Sequence, residues 1–183
     1  MEEKARFGCK SSGDVIMSSG YDDIVKLKNF YKIECFGFDG KLKWIEEFEN
    51  LVVNVGLDHL LDVTLSAGSQ ITAWYVGLKN TGTVAASDTM SSHVGWTENT
   101  TYSNATRPTW TDGGVSSQSV DNSASKAQFN INGTTTIYGA FLTSVNTKGG
   151  TTGTLYGAGD FSSSRAVVSG DTLNVTVTAT AAG

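Results

Sequence analysis

Alternation of apolar and polar positions runs through much of the chain after about residue 30. In the closing segment VVSGDTLNVTVTATAAG, Leu173, Val175, Val177 and Ala179 fall on one side of an extended backbone and Asn174, Thr176 and Thr178 on the other, the period of a half-buried β-strand. Ser169, Gly170 and Asp171 ahead of it are turn formers that let an earlier strand reverse into this one. In FYKIECFGFDGKLKWIEEF, two runs rich in β-branched and aromatic residues flank Asp39-Gly40, which predicts a β-hairpin with a type I′ turn. Leu42 and Trp44 form the expected core face of its second run.

A different period follows. Leu57, Leu60, Leu61 and Leu65 recur at helical spacing and predict one short amphipathic helix over residues 55–65, with Asn54 to cap it and Gly68 to end it. His59 falls opposite that leucine face and reads as a solvated side chain. ITAWYVGLKN has the continuous apolar content of a buried strand. The stretch from Thr81 to Asn122 is too long for bare loop inside a compact domain, so short strands or partner contacts are expected there. KAQFNI, TTIYGAFLTS, GTLYGAG and RAVV then arrive as short strands, with Asn-Gly, Lys-Gly-Gly and Ser-Gly-Asp at turns.

Together these patterns predict an all-β domain over residues 30–183, mainly an antiparallel β-sandwich or jelly-roll-like, with one short helix. Residues 1–29 lack periodicity and read as an extended N-terminal arm that orders against a partner surface. Its apolar spots, Phe7, Val15, Ile16, Met17, Ile24 and Val25, are the expected partner contacts.

Charge narrows the partners. A formal net charge of -5 and a pI near 4.9 argue against non-specific nucleic-acid binding, which needs Lys and Arg to neutralise phosphates. No apolar run approaches the roughly 20 residues of a membrane span, and the N-terminus lacks the apolar segment of a secretory signal, so synthesis in the cytoplasm is expected. Two cysteines, Cys9 and Cys35, are too few for a disulfide framework or a four-ligand zinc site. No nucleophile elbow, Walker loop, dinucleotide-binding turn or calcium loop occurs. Neither a cofactor, a metal nor catalysis is therefore expected.

Two constellations still need weighing. Glu46, Glu47 and Glu49 cluster along the chain, and paired carboxylates a few ångströms apart are what glycoside cleavage requires. Trp96, Tyr102 and Trp110, with Asp112 and Asp121 nearby, could form a platform on which a sugar stacks. Against this, a charge run is commonly a solvated strand end, and aromatics in a small β domain commonly supply core or subunit interface. The N-x-[ST] sequons at Asn99, Asn104, Asn132 and Asn174 follow from a Thr-rich composition.

The succession YKIECFGFDGKLKWIEEFENLVVNVGLDHLLDV, WYVGLKNTG, AASDTMSSHVGWTENTTY, RPTW, DNSASKAQFNI, GAFLTS, TTGTLY and SGDTLNVTVT resembles tailed-bacteriophage virion proteins over roughly residues 30–179. Such proteins include capsid decoration (cement) proteins, head fibres and tail-associated proteins. The resemblance implies a non-enzymatic trimer on the capsid surface whose N-terminal arm reaches the major capsid protein. The alternative is a head or tail fibre module that binds host glycans through Trp96, Tyr102 and Trp110.

Overall fold

The computed structural model of the chain describes residues 26–182. Phe7, Val15, Ile16, Met17, Ile24 and Val25, the contacts expected of the arm, lie outside the described residues. The elements run β1 (Lys26–Phe36), β2 (Leu42–Val52), α1 (Asn54–Leu65), β3 (Trp74–Gly82), β4 (Trp96–Asn99), β5 (Thr109–Trp110), β6 (Ser119–Asp121), β7 (Ala127–Asn130), β8 (Thr135–Thr143), β9 (Leu155–Val167) and β10 (Thr172–Ala182). β1 thus takes in residues 26–29, which composition had assigned to the arm.

All strand pairs are antiparallel, and the hydrogen-bonded path runs β4-β3-β8-β9-β2-β1-β10-β6, with β5 on β3 and β7 on β10. Two residue pairs alone, Leu51–Ala158 and Val52–Gly157, join β2 to β9. The sheet folds over at that seam, because inner side chains of both halves share one core: Tyr31, Ile33, Phe48, Val175 and Val177 with Val76, Leu78, Ile137 and Phe161. The result is an all-β, sandwich-like fold with one helix.

The closing strand finds its neighbours as its alternation requires. Leu173, Val175 and Val177 are buried, and β10 pairs along its whole length with β1, from Lys26–Ala182 to Phe36–Thr172. On its other side lie β7 and β6. The loop-rich stretch supplies the short strands β4, β5 and β6, whereas GTLYGAG and RAVV form the single long strand β9.

Three local expectations need correction. The hairpin turn is not type I′: Gly40 N–H donates to Gly37 O at 2.8 Å, and in the turn only Gly40 has positive φ, 73°. That is a type I turn followed by a glycine bulge, the three-residue solution to the same reversal. In β2 the buried inner positions are Glu46, Phe48 and Val52, with Trp44 partly buried against them, while Leu42 is exposed beside an irregularity at Cys35/Phe36. The strand end there runs past the core. The helix forms where expected and Leu60 packs inward, but the rest of the leucine stripe does not: Leu57, Leu61 and Leu65 are exposed, the last at 81%. Gly56, His59 and Leu60 face the protein, since an added Cβ at Gly56 would collide with the Tyr156 carbonyl of β9 and His59 packs edge-on to Trp74 at 5.8 Å. Val53, not Asn54, occupies the N-cap position, and Ala67 rather than Gly68 takes positive φ, 56°, after the last turn.

Candidate functional site

The three aromatics that could have formed a sugar platform are separated and committed to the fold. Trp96 is 3% exposed; its indole N–H donates to Asp88 Oδ2 at 2.8 Å, His93 stacks on it at 4.1 Å and Phe141 packs behind it. Tyr102 is fully enclosed against Phe129, with its hydroxyl donating to Glu98 at 3.3 Å. Neither has a face left for a partner. Trp110 is half-buried, and its Nε1–H donates to the Val177 carbonyl across the sandwich at 3.0 Å.

The acidic run divides according to strand period. Glu46 points inward and receives Arg165 Nε at 2.6 Å and Ser162 Oγ at 3.3 Å, while Glu47 and Glu49 point outward toward Lys32 and Lys28. Adjacent strand residues occupy opposite faces, so Glu46 is separated from Glu47 and Glu49, and each of those two lies beside its own lysine. Asp112 and Asp121 are likewise spent on turns, accepting from Gly114 N–H at 3.1 Å and Ser123 N–H at 2.7 Å. Hydrogen bonds from Ser123 hold the Asp121 carboxyl below its usual range. Among the described residues no group of three His, Cys, Asp or Glu side chains converges on one point.

A buried ionic network went unseen in the sequence. Arg107, 1% exposed, makes a bidentate pair with Glu98 (Nη2–Oε2 2.7 Å, Nε–Oε1 3.0 Å) and donates to Val145 O and Gly150 O, both at 2.8 Å. Gly149 N–H also donates to Glu98 Oε2 at 2.8 Å. Every polar reach of the guanidinium is toward loop backbone or Glu98, so this group positions the 144–150 loop. Buried Lys79 is similarly spent, on Asp160 Oδ1 at 2.5 Å and on the Asn80 and Gly82 carbonyls. Such pairs belong to the fold because an unpaired buried charge costs several kcal/mol.

Several apolar side chains point outward, among them Leu65, Val94 and Val115, and one of the largest, Phe38, sits at the β1–β2 hairpin tip. Phe38 is 91% exposed, with Leu42 and Val168 also exposed. A Cβ on Gly170 would lie 3.3 Å from the Phe38 ring, so the hairpin tip and the β9–β10 turn stand side by side. That turn is firm: Asp171, itself buried, accepts from Lys43 Nζ at 2.6 Å and from Val168 N–H at 2.9 Å, while its carbonyl accepts from Ile131 N–H. The link also raises the Lys43 pKa, chiefly through the Asp171 hydrogen bond. A large ring exposed beside a braced turn is available as a docking anchor. Phe38 lies within the hairpin signature, yet nothing in its spacing marks it as exposed.

No known protein family matches the chain, and no curated protein matches it.

Proposed function

We propose that this protein is a non-enzymatic virion protein of a tailed bacteriophage, one that binds the assembled capsid and stabilises it. The reading begins from the resemblance over residues 30–179. The observation that carries it further is the hairpin tip bearing exposed Phe38 next to the β9–β10 turn that Asp171 braces. A ligand that binds the closed shell and not its free subunits stabilises the shell by mass action, and repeated copies make modest single contacts sufficient. The partner is the major capsid protein, reached by the tip and by the N-terminal arm, and the working form is a homotrimer. Burial of Trp96 and Tyr102 removes two of the three residues on which glycan recognition would have rested.

Cosedimentation tests the proposal. Full-length protein should pellet with intact particles of the virus that encodes it and stay in solution with unassembled capsid subunits. Light scattering should return three times the 19.3 kDa chain mass. Purified particles that lack the protein, with all of it free in infected cells, would overturn the reading.

A further inference from the structure

We infer that Asn132 is a site of spontaneous covalent modification, at which the side-chain amide closes on the backbone nitrogen of Gly133 and water then opens the ring to aspartate and isoaspartate. The inference is independent of capsid binding. Asn132 is followed by glycine, whereas every other asparagine of the chain precedes a residue that carries a side chain. The Asn132-Gly133 pair lies in the connection from β7 to β8, and Asn132 is exposed there. Among the described residues neither the Asn132 side-chain amide nor the Gly133 backbone N–H has a hydrogen-bond partner. Both reacting groups are therefore uncommitted. The residue before them is fixed: Ile131 N–H donates to the Asp171 carbonyl at 2.8 Å, and Ile131 O accepts from Gly170 N–H at 2.9 Å.

Water is the only other reactant. The Gly133 nitrogen gives its proton to solvent base and bonds to Asn132 Cγ; the Cγ–Nδ2 bond breaks, Nδ2 takes a proton back from solvent, and ammonia leaves a succinimide ring. Water then adds to one of the ring carbonyls. Opening at Cγ gives ordinary aspartate, and opening at the backbone carbonyl carbon leaves the chain running through Cγ as isoaspartate. Nothing is oxidised or reduced. Glycine suits the attack because it has no Cβ to obstruct it and its backbone turns freely. Asp39-Gly40 and Asp112-Gly113 have the same spacing, but an ionised carboxylate is a poorer electrophile than an amide. Both are also engaged, accepting from Lys41 N–H and Gly114 N–H at 3.1 Å. Conversion at Asn132 adds a negative charge, and the isoaspartyl product inserts a main-chain carbon directly after Ile131, which ties the β9–β10 turn.

The test ages the full, folded chain in mildly alkaline buffer made with oxygen-labelled water and follows the tryptic peptide 127–148 by mass spectrometry. The amide-to-acid mass change should localise to Asn132, carry the labelled oxygen and appear as separable aspartyl and isoaspartyl peptides. Asn130 and Asn146 in the same peptide should stay unchanged, a comparison that needs no variant. Gly133→Ala should slow conversion roughly tenfold or more, equivalent to about 1.4 kcal/mol on the barrier. The backbone accepts that change, since φ at Gly133 is not positive and an added Cβ would meet only the Thr101 methyl, at 2.9 Å. Asn132→Gln, whose closure needs a larger ring, should end conversion on the same timescale. No conversion in the folded chain, conversion confined to a sample unfolded in urea, an aspartyl product without isoaspartate, or an equal rate in Gly133→Ala would each overturn the assignment.

Discussion

The indole nitrogen of Trp110 donates to the carbonyl oxygen of Val177 at 3.0 Å, tying β5 of one layer to β10 of the other. It is a contact across the sandwich made by a strand of only two residues. Trp110→Phe keeps a ring and removes the donor, which should cost about 1 kcal/mol. Trp110→Ala also opens the space between layers and should cost about 2–4 kcal/mol. Urea denaturation checks both, as a lower midpoint at unchanged slope; Trp110→Phe matching the native midpoint would mean the bond contributes nothing.

Glu98 and Arg107 form the most enclosed ion pair described, and each also anchors loop backbone. Glu98→Gln leaves the guanidinium buried without its counter-charge and should destabilise by about 3–5 kcal/mol. Replacing both residues with Met should cost less than that single change, because no orphaned charge remains. Paired denaturation curves of the two variants decide it.

Alkaline pH should weaken the fold. Burial pushes the Cys35 thiol from its ordinary 9.0 up to about 12 and raises the Tyr31, Tyr102 and Tyr156 phenols above their ordinary 10.0. Each group holds its proton more tightly folded than unfolded. Their contribution is therefore fully present below pH 9 and is lost as pH climbs through the folded values. The urea midpoint should hold level from pH 7 to about 9 and then fall towards pH 12, and Cys35→Ala should flatten the first part of that fall. The same neutral, enclosed thiol should react with alkylating reagents at pH 8 only upon unfolding.

Phe38→Asp tests the exposed tip. With the ring 91% in solvent, the substitution should move stability by no more than about 0.5 kcal/mol. Binding to intact particles should weaken tenfold or more, about 1.4 kcal/mol. Unchanged cosedimentation would remove the hairpin tip from the proposed contact.

Strand positions were legible because alternation is a property of the chain itself: Leu173, Val175 and Val177 bury as their parity dictates. Turn position was legible and turn type was not, since an Asp-Gly pair fits both the expected turn and the type I turn with its bulge. The helix shows where periodicity stops informing. Leu57, Leu61 and Leu65 make the stronger stripe, yet the close approach of α1 to β9 admits only Gly56 at the contact and turns those leucines outward. The site residues were hidden for a related reason. Arg107 is completed by Glu98, Val145 and Gly150, partners that no local spacing connects.

The position of β10 inside its layer constrains how the protein is made. It lies between β1 on one side and β6 and β7 on the other, yet it is the last described strand to leave the ribosome. Until it arrives, β1 has an open edge and the inner faces of Tyr31 and Ile33 lack their cover. Closure of the layer must therefore wait for β10, and the nascent half-layer is the stage at which a chaperone, or misassociation with another copy, competes with folding.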